Sequence, residues 1–164
     1  MPLRAGPIAL VICLGALRLA AQTSTVAPGV TYLSSAHIDS GAAAALAAGT
    51  VTHPLAASSG GLQYLAAVRQ APGSAEIHTR WTDIVMVRSG HGTLRTGRVI
   101  PARRESAPGE WRGATISDGH DQPLGAGDVV VIPAGTAHQY IPAGDAPLVY
   151  VTVKVRGSAS RSQR

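Results

Sequence analysis

Short apolar stretches alternate with glycine- and proline-containing turns along most of the chain. Period-two alternation and short apolar runs bounded by such turns are typical of strands. The pattern predicts strands at 61–70, 75–78, 82–90, 93–97, 110–117, around 122–124, and at 127–133, 138–142 and 148–155. Short strands at this spacing predict an all-β fold, either a sandwich or a barrel.

The N-terminal part of the pattern is different. Residues 26–38 predict one strand near the edge of the barrel. Asp39 and Ser40 can cap a short helix over residues 42–48, and Gly49 is placed to end it. Residues 50–60 predict a loop, and Gly90-His91-Gly92 predicts the turn of a β-hairpin.

Length and charge narrow the class of protein. The 164 residues suffice for one domain with a core, and 19 glycines and 11 prolines favour strands and turns over long helices. The net charge of +5 includes Arg4 and Arg18; without residues 1–21, 14 − 2 = 12 basic groups face 9 acidic ones, which leaves +3. No basic run is interleaved with aromatic residues, so we expect no nucleic-acid partner.

The first residues have the order of a secretory signal. Arg4 precedes a short apolar run at 8–17, and Ala20-Ala21 offers a cleavage site before Gln22. The sequence therefore predicts a signal peptide over 1–21, a domain over 26–156, a disordered tail over 157–164, and a periplasmic or secreted protein without membrane contact after cleavage. The alternatives are an uncleaved membrane anchor and a wrongly assigned start. The only cysteine, Cys13, lies in the apolar run, so cleavage would exclude disulfides and thiol catalysis.

Two distant segments carry candidate metal ligands. Glu76 and His78 are two residues apart, so they share one face of a strand, and Asp83 follows on the next predicted strand. His138 comes directly after a Pro133-Ala134-Gly135 turn. Two imidazoles and two carboxylates brought together can hold a divalent ion.

The strand that carries Asp83 also predicts a homodimer. Asp83 shares its face with Val85 and Val87, so Ile84 and Met86 point outward although both are apolar. Together with the valines of 148–155 they leave more apolar surface than one small barrel should expose, and a second copy of the chain can cover it.

These segments resemble the two motifs of the cupin superfamily, small β-barrels of jelly-roll type. The second motif is matched at Gly127, Pro133, Gly135 and His138. In the first motif, the positions of two histidines, a glutamate and a glycine are taken by Glu76, His78, Asp83 and Gly90. The usual three histidines and one glutamate thus become two histidines and two carboxylates. A Gly-Glu-x-Arg-Gly segment at 109–113 is similar to small single-domain bacterial cupins.

The resemblance implies a single cupin jelly-roll barrel with a short N-terminal helix, and a divalent ion (Fe, Mn, Ni or Zn) held by Glu76, His78, Asp83 and His138. Such a site suits an oxygenase, isomerase or lyase acting on a small polar organic molecule, with Glu76 either a ligand or a general base. The alternatives are a non-catalytic module that binds a sugar or organic acid without metal, and a structural domain with a vestigial site.

The sequence pattern assigns no single role to the other polar and aromatic residues. The histidines without a partner pattern are expected at the surface or in capping roles: His37, His53, His91 and His120. Four further residues can line the mouth of the pocket or belong to the core: Tyr64, Arg69, Trp81 and Tyr140. Glu110 and Arg112 can simply pair across a strand.

Overall fold

The structure, a computed structural model, describes residues 27–157. All elements belong to the compact unit that begins at Thr31. The described residues form one helix, α1 (Ser35–Ala47), and eleven strands. The strands are β1 (Thr52–Pro54), β2 (Leu62–Arg69), β3 (Ala75–His78), β4 (Trp81–Ser89), β5 (His91–Gly97), β6 (Arg104–Ala107), β7 (Glu110–Gly113), β8 (His120–Gly125), β9 (Val129–Ile132), β10 (Ala137–Ala143) and β11 (Leu148–Arg156).

The strands form two antiparallel sheets. One sheet has five strands in the order β1-β2-β11-β4-β9, and the other has six in the order β6-β7-β3-β10-β5-β8. The main core contains side chains of both sheets, among them Val85, Leu94, Leu124, Tyr140 and Leu148. The all-β fold with a short N-terminal helix is therefore confirmed, and most predicted strands are present.

Helix α1 packs against β1 and β2. Its Ile38 and Ala42 pack against Leu55, Ala66 and Val151. The helix also approaches closely at Gly41, where a Cβ atom would lie 2.5 Å from a methyl carbon of Leu55. No helix within residues 27–157 is long and apolar enough to cross a membrane.

The start of α1 corrects the sequence-based expectation of a strand over 26–38. Ser34 caps the helix, because its side chain accepts a hydrogen bond from the backbone N–H of His37 at 3.2 Å. The helix therefore begins ahead of Asp39 and Ser40, which lie inside it. The predicted end is confirmed: Gly49 has φ +64°, and its N–H donates to the carbonyl of Leu46. Two short strands were missed, β1 within the predicted loop 50–60, and β6.

The predicted hairpin at Gly90 is also wrong. Strand β4 belongs to the five-stranded sheet and β5 to the six-stranded one, so the chain crosses between the sheets at Gly90. Gly90 has φ +76°, and a Cβ atom there would lie 2.2 Å from the carbonyl oxygen of Pro147. A glycine followed by a new strand marks a turn, but it does not reveal which strands pair. The predicted tail 157–164 lies outside the described residues except for Gly157.

Candidate metal centre and cavity

A cavity of about 470 Å³ opens between the two sheets. Strands of both sheets contribute its walls, and the polar side chains that point into it alternate along each strand with residues of the core or the outer face. All four predicted site residues line it: Glu76, His78, Asp83 and His138.

The four side chains line the same part of the cavity wall, and Asp83 contacts both imidazoles without belonging to the closest group. Nε2 of His78 lies 3.4 Å from Oε2 of Glu76 and 3.6 Å from Oδ2 of Asp83. Nε2 of His138 lies 3.8 Å from Oδ2 of Asp83. Within residues 27–157, Glu76, His78 and His138 form a group whose ligand atoms all lie within 4.8 Å of one another. The structure thus brings together residues that are far apart in the sequence.

Local geometry explains how His138 reaches this point. Gly135 has φ +83°, which a glycine adopts without penalty, and its N–H donates to the carbonyl of His78 at 2.9 Å. The turn before His138 is thereby tied to the end of β3. In the sheet, His138 then stands opposite Glu76 in the register of β10 and β3.

Both imidazoles are oriented by an acceptor at Nδ1. The Nδ1 of His78 is hydrogen-bonded to the carboxylate of Glu110, and the Nδ1 of His138 lies 3.1 Å from the backbone carbonyl of Thr136. These acceptors favour the tautomer with the proton on Nδ1. The Nε2 lone pairs are therefore left to face the carboxylates of the cluster.

Each carboxylate of the cluster has a basic partner on one side. Glu76 lies 3.2 Å from Nη2 of Arg69 and 2.7 Å from Nη1 of Arg112. Oδ1 of Asp83 accepts a hydrogen bond from Nζ of Lys154 at 2.7 Å, and both side chains are buried. Oδ2 of Asp83 consequently points toward the imidazoles.

The environment holds two of these groups in the forms that bind metal. Burial by itself would raise the pKa of Glu76, but the adjacent His78 and the charges of Arg112 and Arg69 outweigh it and hold that pKa well below its usual range. Burial, reinforced by the nearby His78, lowers the pKa of His138 to about 4. At neutral pH the carboxylate is ionised and the His138 imidazole is neutral.

Two tyrosines form one wall of the cavity beside the cluster. The rings of Tyr140 and Tyr150 stack with centroids 4.6 Å apart, and the guanidinium carbon of Arg69 lies 5.4 Å from the centre of the Tyr140 ring. Arg69 also donates from Nε to the Tyr150 hydroxyl at 3.1 Å. Burial raises the pKa of Tyr150 to about 12 and that of Tyr140 well above its usual value. Both hydroxyls are therefore protonated at neutral pH.

Residues 112–154 match the family model described as "Cupin domain". This match covers the predicted second motif with His138, and the two antiparallel sheets around a central cavity agree with it. Residues 112–154 therefore belong to a cupin domain. The three residues Glu76, His78 and Asp83 lie before the matched part of this cupin, and the fold itself brings them to His138.

Several solved structures are similar to parts of the chain. A Bacillus halodurans protein is 20% identical, with 60% of this chain and 64% of that one covered at a TM-score of 0.44. A Klebsiella pneumoniae protein with a double-stranded β-helix domain is 17% identical, with 67% and 79% covered at 0.48. An oxalate oxidase is 19% identical, with 58% and 42% covered at 0.43. The chain thus spans less than two thirds of the first and third of these proteins. No curated protein matches the sequence.

The ligand atoms of Glu76, His78 and His138 fit a divalent metal ion. Bonds of about 2.1 Å in a tetrahedral site place neighbouring donor atoms roughly 3.4 Å apart, and Nε2 of His78 lies 3.4 Å from Oε2 of Glu76. Asp83 lies at the edge of this group, with Oδ2 3.6 and 3.8 Å from the two Nε2 atoms. A carboxylate that accepts from Nδ1, as Glu110 does for His78, is a common support of metal-binding histidines.

Sequence reasoning missed the partners of these ligands. Glu110 and Arg112 are not a simple cross-strand pair: Glu110 binds His78, and Arg112 lies against Glu76. Lys154 was also missed, although it is the only lysine of the chain and stands between two valines of strand β11. A charged residue between apolar neighbours of a strand is the signal that would have indicated a buried partner.

The remaining predicted residues divide between the cavity and the rest of the molecule. Arg69, Trp81 and Tyr140 line the cavity, whereas Tyr64 packs beside the residues that contact α1. The four other histidines of the described residues do not line it. His37, for example, is exposed and lies with Nε2 2.7 Å from the carbonyl oxygen of Leu55.

Proposed function

We propose that this protein is a metal-dependent cupin that binds a small polar organic molecule in the cavity between its sheets and acts on it. One observation carries the proposal: two imidazoles, each oriented by an acceptor at Nδ1, and the Glu76 carboxylate place their ligand atoms within 4.8 Å of one another in the cavity wall, with Asp83 beside them. Imidazole and carboxylate are good ligands for Fe, Mn, Ni and Zn.

The residues have distinct roles in this proposal. His78 and His138 supply neutral nitrogen ligands, and Glu76 and Asp83 supply oxygen ligands. A bound ion with open positions supplies Lewis-acid or oxygen-activating chemistry, which suits an oxygenase, an isomerase or a lyase. Because the pKa of Glu76 is held well below its usual range, its carboxylate is a weak base, which favours the ligand role over proton transfer.

A second candidate function is a binding module without metal. Its support is that both carboxylates already have basic partners: Arg69 and Arg112 beside Glu76, and Lys154 beside Asp83. These contacts compensate the buried negative charge in the absence of an ion. In that case the cavity binds a sugar or an organic acid through hydrogen bonds and charge.

Metal content of the purified protein decides between the two functions. We expect one equivalent of metal by elemental analysis of protein prepared without chelator, and loss of that metal in His78→Ala and His138→Ala. Asp83→Ala should bind metal roughly 10–100-fold more weakly. Glu76→Gln separates two roles, because it should lower metal content as much as turnover if Glu76 is a ligand, and turnover alone if it is a base.

The control for these variants is His91→Ala, which removes an exposed histidine outside the cavity and should leave metal content unchanged. Full metal occupancy in His138→Ala would overturn the proposed site. Absence of metal, with no uptake when Fe, Mn, Ni or Zn is titrated, would favour the binding module.

We also propose that the mature protein is exported and dimeric. Export is supported by the order of Arg4, the apolar run and Ala20-Ala21. Dimerisation is supported by the outer face of β4 and β9, where Met86 pairs in register with Val129 and Ile84 with Val131. Met86, Val129 and Val131 are exposed, and apolar contact with a second copy would remove this surface from water.

A further inference from the structure

Two buried polar atoms of the cavity wall have no hydrogen-bond partner. Among the side chains of residues 27–157, only the Tyr140 hydroxyl and Nη1 of Arg112 are buried without one. Nη1 lies 2.7 Å from Oε2 of Glu76, but the contact fails hydrogen-bond geometry and is an ion pair alone. Both residues line the same cavity. Buried donors without partners are costly and rare, so a ligand that supplies acceptor oxygens would satisfy them.

The charges of the cavity wall indicate whether that ligand is an anion or a cation. Five basic and three acidic side chains line the cavity, which gives 5 − 3 = +2 with neutral histidines: Arg69, Arg80, Arg112, Lys154 and Arg156 against Glu76, Asp83 and Glu110. A divalent ion would add to this excess. A low-dielectric cleft with one sign of charge attracts ligands of the opposite sign.

The basic groups of the cavity differ in burial: some are buried and others are exposed at the surface. Arg69 and Lys154 are held by internal partners, Glu76 and Asp83. Arg80 and Arg156 are exposed; Arg80 donates to the Pro108 carbonyl at 2.7 Å. Arg112 is half-buried. An anion entering the cavity would therefore meet exposed cations first, and the Tyr140 hydroxyl and the Arg112 guanidinium further in.

Apolar and aromatic residues form the rest of the cavity wall, and they can pack against the carbon atoms of a ligand. Leu65, Trp81, Tyr150 and the Tyr140 ring line the same cavity. Inorganic phosphate can accept hydrogen bonds from the donors of the wall but has no carbon atoms to pack against its apolar side chains. An organic acid can do both.

We propose that the cavity takes a small organic carboxylate whose oxygen atoms accept hydrogen bonds from the Tyr140 hydroxyl and from Nη1 of Arg112. This inference rests on the proposed function in placing the substrate at the candidate metal centre, and it names the substrate class. The carboxylate lies beside His138, because the ring centroids of His138 and Tyr140 are 5.9 Å apart. Tyr140 and Arg112 are then the specificity-determining residues.

The test is a binding titration with defined probes. Acetate, malonate, succinate, citrate and benzoate are titrated by calorimetry into the metal-loaded and the chelator-treated protein, with succinamide as the neutral analogue of succinate and inorganic phosphate as a separate arm. We expect at least one carboxylate to bind, and succinamide and phosphate to bind at least tenfold more weakly than the best carboxylate. Tyr140→Phe and Arg112→Gln should each weaken that carboxylate about tenfold or more, as expected for hydrogen bonds to a charged group.

Matched controls and a fold check accompany the variants. Tyr64→Phe makes the same change outside the cavity, and Arg104→Gln removes the arginine that faces Arg112 across β6 and β7 but does not line the cavity. Both should retain wild-type affinity. Melting temperatures without ligand, and metal content, are measured for every variant, so that a folding defect or a lost ion is recognised.

The outcomes separate this inference from the proposed function. Metal binding without affinity for any of the five carboxylates would overturn the inference and leave the metal centre standing. Carboxylate binding to a protein that takes up no metal would support the inference and overturn the metal-dependent function. Unchanged affinity in Tyr140→Phe and Arg112→Gln, or phosphate bound as tightly as the best carboxylate, would also overturn the inference.

Discussion

Replacement of Lys154 by methionine should be among the most destabilising changes near the cavity. Lys154 and Asp83 face each other in the register of β11 and β4, and their side chains are only 10% and 6% exposed. Methionine keeps the unbranched apolar stem but removes the ammonium group that lies 2.7 Å from Oδ1 of Asp83. The carboxylate would then be buried without its partner.

The size of the effect follows from the cost of an unpaired buried charge. Breaking a buried ion pair on one side typically lowers the free energy of unfolding by about 3–5 kcal/mol. For a domain of this size, that corresponds to a fall in melting temperature of roughly 10–20 °C. Asp83→Asn combined with Lys154→Met should be less destabilising than the sum of the two single changes by at least about 2 kcal/mol, because the double variant leaves no unpaired charge.

The assay is urea unfolding followed by circular dichroism, at neutral pH with a chelator so that metal does not contribute. The control is Arg95→Gln, because Arg95 and Asp121 form an ion pair of the same type with side chains 33% and 47% exposed. That change should cost less than about 1 kcal/mol. The reasoning is refuted if Lys154→Met unfolds within about 0.5 kcal/mol of the wild type, or if the two changes simply add.

Four further outcomes are expected. In chelated protein the free energy of unfolding should fall by about 3 kcal/mol between pH 6.5 and 4, because His138 binds a proton in the unfolded chain but stays neutral in the folded one, where burial lowers its pKa to about 4. Above pH 6.5 this effect is absent. Urea unfolding at several pH values measures it, and His138→Gln should make the dependence on pH weaker. Glu110→Gln should weaken metal binding roughly 10–100-fold in a chelator competition titration, and wild-type affinity would show that Glu110 does not support His78. Light scattering should give a dimer that Val131→Glu dissociates, whereas a monomer at high micromolar concentration would disprove dimerisation. Mass spectrometry of the exported protein should find Gln22 as the first residue, and an intact Met1 or Pro2 in the cytosol would contradict export.

Local sequence determined the parts of this protein that depend on neighbouring residues. Strand alternation places Glu76 and His78 on one face, and Asp83 with Val85 on another buried face, as the structure has them. Gly135 determines the turn that delivers His138, since its positive φ is a local property of the backbone. These short-range rules sufficed to predict an all-β fold and the strand faces on which the four candidate residues lie.

Tertiary structure alone decided which groups surround those four residues. Lys154 reaches Asp83 because β11 pairs with β4, and Glu110 reaches His78 because β7 pairs with β3; each pair is separated by many residues in the sequence. The same holds at Gly90, where a local turn signal could not show that the chain changes sheets. Pairing between distant strands depends on packing of the whole core, so the charges that hold the ligands, and the two unpartnered donors beside them, become visible only in the folded chain.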